Sequence, residues 1–280
     1  MPSPCLLCKS SSHKVIFSYK EPDRYEAAVR VTAKNYFRKW VRCSKCGFFY
    51  SIYSRPPKVI HTIYETAYRD TNANWRKETA EEIFNKITAL PEHQSETKKR
   101  VCWIKETIER VWEDGIIKKP APPFSALDIG GGAAIFAYEF QDRLWRSYII
   151  DPAKNNDFVK KKLKIPLIQK FYKPNRFHRK FNLISLVYVL EHMANPRSLL
   201  KSVRKDMDAN SFLYVEVPDA LASRLKPKDD DIFNACHLWM FDQETLTRIL
   251  KECGFEALSI RRIKTLRNHY AVMALAIQKR

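Results

Sequence analysis

No apolar run in the 280-residue sequence approaches the roughly 20 residues that cross a bilayer as a helix, so a helical membrane protein is excluded. The opening MPSPCLLCKS lacks a basic stretch followed by an apolar core. No secretory signal is therefore expected, and a cytoplasmic location follows by default. Glycine is scarce, six in all, with three of them adjacent at Gly130, Gly131 and Gly132. No internal repeat or low-complexity tract is present. Acids are also few, 31 Asp and Glu against 50 Lys and Arg. With 45% apolar and 29% charged residues, disorder is excluded. The length suits one good-sized core plus a smaller module.

The positive excess lies in two blocks. Residues 1–60 hold 12 Lys and Arg against 3 acids, residues 61–125 balance at 11 and 11, and residues 126–280 hold 27 against 17. A net charge of +19 favours polyanionic or phosphate-bearing partners, although charge reports on association and not on chemistry. FVKKKLK and NRFHRK mix bases with aromatics, which suits a phosphate backbone such as RNA. A phosphate-bearing sugar nucleotide or lipid-linked saccharide uses the same surface, and a plain solvated surface is the third reading.

Three regions follow from pattern. Residues 1–54 are punctuated by cysteine, rich in aromatic and β-branched residues, and read as short strands. Residues 55–120 read as a helical connector: Ile83, Ile87 and Leu90, then Val101, Ile104, Ile108 and Val111, recur at helical spacing. Two helices joined near LPEHQ are predicted, with Pro91 at the break, and the proline-rich KKPAPPF closes the region. Residues 121–280 alternate short apolar runs (SALDIG, SYIID, IPLIQ, NLISLVYVL, SFLYVEVP, FEALSI, YAVMALAIQ) with helix-like segments. That alternation predicts an α/β fold, a mostly parallel seven-stranded sheet with helices on both faces. Gly254 ends the helix QETLTRILKECG in the manner of a C-cap.

The glycines sit in LDIGGGAAIF, Leu127 to Phe136, a strand running into a turn and then a helix. A dinucleotide fingerprint needs a small residue three positions after its second glycine. Counting from Gly130 and Gly132, that position is Ile135, so the fit fails. A phosphate loop fails too, because no Lys-Ser/Thr pair follows the glycines. Read as D-x-G-x-G-x-G, the segment supplies Asp128, Gly130 and Gly132, with Ala134 in place of the last glycine. A strand-end carboxylate before the turn suits a ligand that carries an ammonium group, and S-adenosylmethionine has one. Asp151 ends the next apolar run, where its carboxylate can accept hydrogen bonds from ribose hydroxyls.

With these motifs, residues 125 to 278 resemble a class I S-adenosylmethionine-dependent methyltransferase. The resemblance is carried by LDIGGGAAIF, YIIDPAK, FNLISLVYVLEHMANPRSLL, LYVEVPD and HLWMFDQETLTRILKECGF. It implies a Rossmann-like sheet in the order 3-2-1-4-5-7-6, the last strand antiparallel, with the cofactor at the carboxyl ends of the strands and Gly131 inside its cradle. Many relatives carry an acid reaching the adenine after the third strand. Here, in LIQKFYKP, Gln169 is the nearest polar residue. The usual Asp of the fourth strand is Asn182.

Seven cysteines without an export signal read as thiols or metal ligands. Cys5-x-x-Cys8 and Cys43-x-x-Cys46-Gly47 are two half-sites that together can close a tetrahedral four-thiolate site. Redox chemistry is the competing reading of each pair, and iron can occupy the same ligands as zinc. Zinc is expected, and four ligands leave no open position, so its role is structural. Cys102, Cys236 and Cys253 have no partner in sequence and read as packing residues. A cysteine module, a helical connector and a methyltransferase core together resemble zinc-binding sugar C-methyltransferases and polysaccharide-cluster enzymes, in which the N-terminal module helps cover or select the acceptor.

Methyl transfer from a sulfonium is an in-line displacement, so the protein positions two reactants and removes a proton where one must leave. Glu191 and His192 follow the fourth apolar run and are placed by the resemblance at the edge of the active site; capping or packing is the other reading. His237, opening HLWMF, is the first candidate for the base, because similar C-methyltransferases use a histidine in this segment. Those enzymes show a His-Glu-His run, whereas NACHLW keeps one histidine. Tyr188, Glu216 and Asp219 are candidate pocket residues, with sheet positions and a helix cap as alternatives. Asp229 to Asp231 read as a solvated loop or a site for a cationic group. The expected acceptor is a carbohydrate, sugar nucleotide or related small molecule; RNA methylation and an inactive methyltransferase fold are the alternatives.

Overall fold

The computed structural model describes residues 4–56, 58–66, 77–153, 156–266 and 268–279. Residues 1–3 of the cysteine module, residues 57 and 67–76 of the connector and Lys154 of the YIIDPAK motif lie outside the described residues.

Three N-terminal strands, β1 (His13–Tyr19), β2 (Arg38–Cys43) and β3 (Phe49–Tyr53), form an antiparallel sheet. Between β1 and β2 lies the helix α1 (Arg24–Ala28), started by Asp23, whose carboxylate accepts from the amides of Tyr25 and Glu26. Three more helices follow, α2 (Lys58–Thr66), α3 (Ala80–Thr88) and α4 (Glu96–Glu113). Thr79 and Glu82 close a reciprocal capping box on α3, and Ser95 caps α4. Pro91 falls between α3 and α4, where the break was predicted. The apolar stripe of α4, Val101, Ile104, Ile108 and Val111, is buried. On α3 the buried residue is Phe84, while Ile83, Ile87 and, just past the helix end, Leu90 are half-buried. Phe84 packs edge-on against Tyr138 at 4.9 Å. The strand reading of residues 1–54 missed α1, and the two-helix reading of the connector missed α2.

The main sheet contains β4 (Phe124–Ile129), β5 (Trp145–Ile150), β6 (Leu167–Ile168), β7 (Phe181–Val187) and β8 (Met207–Pro218). A short β9 (Trp239–Met240) instead joins the N-terminal sheet beside β3, and β10 (Phe255–Lys264) and β11 (Tyr270–Gln278) complete the main one. The order is β10-β11-β8-β7-β4-β5-β6, with β11 antiparallel to both its neighbours. This is the predicted 3-2-1-4-5-7-6 arrangement. The protein has a Rossmann-like α/β fold with a mostly parallel seven-stranded sheet.

Strand periodicity of two assigns the two faces. Leu127, Ile129, Ile184, Leu186 and Val215 point to a core shared with Leu200 and Val203 on one helix and with Leu246, Ile249 and Leu250 on another, α7 (Pro196–Val203) and α9 (Gln243–Glu252) respectively. Phe124, Ala126, Leu183, Phe212, Tyr214 and Leu275 point the other way, onto α4. The remaining helices are α5 (Ile135–Phe140), α6 (Asp157–Lys161) and α8 (Ala222–Leu225). Among the described residues no helix is long and apolar enough to cross a membrane.

Candidate active site and cysteine cluster

β4 has β5 on one side and β7 on the other, so the strand order reverses there, and the crevice opens at the carboxyl ends of the strands. The glycine bend fills that point. Gly130 has φ +75°, the left-handed region that glycine enters without steric cost. A Cβ on Gly130 would stand 2.6 Å from Val189 Cγ2; one on Gly131 would stand 2.7 Å from Asp128 Oδ2 and 3.0 Å from Ile149 Cγ2. The backbone is thus pressed against the ends of β4, β5 and the segment after β7. Ala134 also has a positive φ, +62°. Alanine there costs on the order of 1–2 kcal/mol that glycine would not.

Asp128 and Asp151 are both buried, each 3% exposed. The Ser185 hydroxyl, opposite in register on β7, donates to Asp128 Oδ1 at 2.7 Å. Asp151 braces the bend itself: the Gly132 amide donates to Oδ2 and the Ala153 amide to Oδ1, both at 2.8 Å. Asn156 adds a bond from Nδ2 to the Gly132 carbonyl at 2.5 Å. Gln169, just past β6, donates to the Ala153 carbonyl at 3.3 Å. Asn182 accepts the Ser125 amide at 2.8 Å and ties β7 to β4. A bend without side chains, rimmed by two buried strand-end carboxylates, fits the ammonium and ribose ends of S-adenosylmethionine.

The segment after β7 turns through Leu190–His192 and brings Glu191 and His192 beside His237, which lies in the loop leading to β9. The two rings are 4.8 Å apart between centroids. His192 Nε2 faces Glu191 Oε1 at 3.6 Å. Both imidazoles are oriented through Nδ1, which bonds the Cys236 carbonyl at 2.9 Å in His192 and the Ile232 carbonyl at 2.7 Å in His237. Such bonds place a proton on Nδ1 of each ring. Burial lowers the pKa of His237 to about 4 and keeps its ring neutral. Burial, reinforced by Glu216, holds the Glu191 carboxyl well above the usual carboxylate range. Neither Glu191 oxygen has a hydrogen-bond partner among the described residues.

Other candidates have structural partners. Glu216 is fully buried, ion-paired with Arg100 of α4, and accepts the Tyr214 hydroxyl at 2.5 Å. Tyr188 joins this cluster; its backbone amide donates to the Glu216 carbonyl at 2.9 Å, and burial beside Glu216 raises its phenol. Asp219 pairs with Arg262 and caps the Leu221 amide at 2.8 Å. In the acidic run, Asp230 accepts the Ile232 amide at 3.0 Å and Asp231 pairs with Arg24 at 2.8 Å. Cys236 and Cys253 are buried, as packing requires, but Cys102 is exposed on α4. It lies off the stripe of Val101, Ile104 and Ile108, which corrects its reading as a packing residue.

Sequence reasoning overlooked the residues that hold the His237 loop. Arg38 and Trp40 of β2 both donate to the Phe233 carbonyl, Trp40 at 3.1 Å. Arg55 donates to the Ala235 carbonyl at 2.6 Å, and Asp23 accepts the Ala235 amide at 2.5 Å. Arg100 was also overlooked, although a signal existed: it is a lone charge in phase with Ile104, Ile108 and Val111.

The four N-terminal cysteines converge. Cys5 and Cys46 sulfurs are 3.5 Å apart, Cys8 and Cys43 sulfurs 3.4 Å, and all four lie within 4.8 Å of one another. Metal–sulfur bonds of about 2.3 Å in a tetrahedron set edges of about 3.8 Å, so the arrangement fits a four-thiolate ion. The second such grouping among the described residues is Glu191, His192 and His237.

Comparison with known proteins agrees with the fold. The 1,6-didemethyltoxoflavin-N1-methyltransferase of Burkholderia thailandensis, solved with 1,6-didemethyltoxoflavin and S-adenosylhomocysteine, superposes with a TM-score of 0.55 at 10% identity, over 85% of this chain and 98% of that one. Magnesium protoporphyrin IX methyltransferase of Synechocystis PCC 6803, solved with S-adenosylmethionine, gives 0.50 at 13% identity, over 81% and 99%. No curated protein matches the chain by sequence. Residues 75–260, roughly two thirds of the chain, match the family model described as a methyltransferase domain. The chain belongs to that methyltransferase family.

Proposed function

We propose that the protein transfers the methyl group of S-adenosylmethionine to a small-molecule acceptor, most fittingly a carbohydrate or sugar nucleotide. The observation that carries this reading is the pair of buried carboxylates, Asp128 and Asp151, on either side of the glycine bend at the switch point of the sheet. Asp128 would face the methionine ammonium and Asp151 the ribose hydroxyls, with Gly130, Gly131 and Gly132 letting the backbone close on the ligand and Gln169 at the adenine end. The bound cofactor supplies an electrophilic methyl group on a sulfonium. Residues of the chain then align the acceptor and handle its proton.

Glu191, His192 and His237 stand at the acceptor end, beyond the carboxyl end of β7. Each imidazole turns a lone pair away from its backbone anchor, so the cluster can accept a hydrogen bond or proton from an acceptor hydroxyl. His237 is the first proposed catalytic residue, with His192 and Glu191 beside it. Cys5, Cys8, Cys43 and Cys46 would hold a structural zinc ion, which joins the two ends of the module spanning residues 1–54. We keep the division into that module, a helical connector at 55–120 and the methyltransferase domain at 121–280. The two neighbours compared above are named for small-molecule acceptors, which supports a small acceptor here.

Labelled S-adenosylmethionine incubated with fractionated extract tests the acceptor class, with and without ribonuclease. Label is expected in the small-molecule or glycan fraction. Label confined to ribonuclease-sensitive material would replace this acceptor with RNA, and label in no fraction would favour an inactive fold.

A further inference from the structure

Three lone-pair donors converge beside the donor crevice. One nitrogen from each of His192 and His237 and one oxygen of Glu191 lie within 4.8 Å of one another, and His192 Nε2 is 3.6 Å from Glu191 Oε1. Ligands bound to a common ion at about 2.0–2.2 Å have similar mutual separations. Each ring is fixed from behind by a backbone carbonyl, that of Cys236 or Ile232. Metal-ligating histidines are commonly fixed in this way, because the outer bond sets the tautomer and the ring plane. The Glu191 carboxylate is fully buried, and no described residue donates a hydrogen bond to either oxygen. A buried carboxylate in that state requires either a proton or a cation. With one nitrogen of each imidazole in the same region as that carboxylate, a single cation can be held by all three groups together.

We infer that Glu191, His192 and His237 bind one divalent transition-metal cation. Two nitrogens and one carboxylate oxygen suit manganese, iron, cobalt or zinc in the divalent state, unlike the four-thiolate set, which suits softer ions such as zinc. Three protein ligands leave coordination positions open for oxygen atoms of a second molecule. That this molecule is the methyl acceptor rests on the function proposed above; the cation rests on the geometry alone. With the ion bound, His192 and His237 serve as its ligands in place of the base role given above, and the acceptor class narrows to molecules that present a hydroxyl, phenol or carboxylate oxygen to the metal.

The test uses the full chain with its cysteine site intact. Elemental analysis first counts transition metals in the purified protein, and manganese(II) is then titrated and followed by electron paramagnetic resonance. Thiolates disfavour manganese, so the probe reports on the nitrogen and oxygen site. Expected is one saturable manganese per chain, or a second bound metal already in place, with affinity at least about tenfold weaker in Glu191→Gln and in His237→Asn. S-adenosylhomocysteine binding on the same samples shows that the variants keep the donor crevice. Absence of saturable manganese binding up to about 1 mM, with no second metal in the wild type, would overturn the inference. Equal metal binding in wild type and both variants would do the same. Metal binding without S-adenosylhomocysteine binding would leave the cation site standing and remove the methyl-transfer reading; the reverse pattern would do the opposite.

Discussion

Replacing Arg55 with methionine removes a charge where the N-terminal strands grip the loop that carries His237. The Arg55 and Glu26 side chains form an ion pair with no solvent exposure on either side. Glu26 also accepts the Tyr36 hydroxyl at 2.5 Å, and Arg55 also donates to the Ala235 carbonyl at 2.6 Å. Breaking a buried pair from one side strands the other charge, at a cost of about 3–5 kcal/mol. At about 2–4 °C per kcal/mol for a chain of this size, Tm should fall by about 6–20 °C. Hydrogen exchange across residues 231–237 should rise as well, because the loop loses an anchor. Adding Glu26→Gln should restore more than half of the lost Tm, since the stranded charge is gone. It should not restore exchange protection to the loop, because the Ala235 carbonyl still lacks its donor. A fall in Tm under about 2 °C, or a double variant no more stable than Arg55→Met, would refute the reasoning.

Two further outcomes are expected. Freshly purified protein should contain about one zinc per chain in the cysteine site, and Cys46→Ser should lower that content; under about half an equivalent in the wild type would count against the site. His237 gives a pH signature. Its pKa in the folded protein is lowered to about 4 by burial, with the Ile232 carbonyl and Asp231 opposing the shift and Arg38 and His269 reinforcing it, whereas in the unfolded chain it lies near 6.5. As pH falls, the unfolded state takes up this proton first. Its contribution is therefore fully present above about pH 6.5 and is lost between there and about pH 4, by at most about 3 kcal/mol. With no cation bound at Glu191, His192 and His237, thermal melts of His237→Gln should show a flatter dependence over that window; parallel curves for variant and wild type would contradict the assignment.

The sheet was legible in the sequence because each central strand is an apolar run between turn residues, and runs buried on both faces need no alternation. β4 is buried at every position. The glycine bend was legible because close backbone approach leaves few choices of residue. Contacts between distant segments left no local trace. β9 is only two residues long and pairs with β3 almost 190 positions earlier, so nothing in HLWMF marks it as a strand. α2 was missed because KVIHTIYET carries no capping signature and follows a pair of prolines. Asp151 was legible as a strand-end acid, yet its bonds to the Gly132 and Ala153 amides belong to the folded geometry. The same holds for Glu216, whose partner Arg100 stands 116 residues away on α4.

Calorimetric titration of S-adenosylhomocysteine into wild type, Asp128→Ala, Asp151→Ala and Gly131→Ala tests the central claim most directly. Losing a hydrogen bond to a charged group costs about 1.5–3 kcal/mol, so each Asp variant should bind about 10- to 100-fold more weakly. Gly131→Ala should weaken binding similarly, because its methyl group would displace the Asp128 carboxylate 2.7 Å away. Saturable wild-type binding with these losses is the expected result. No saturable binding to the wild type, or affinity indifferent to all three substitutions, would contradict it.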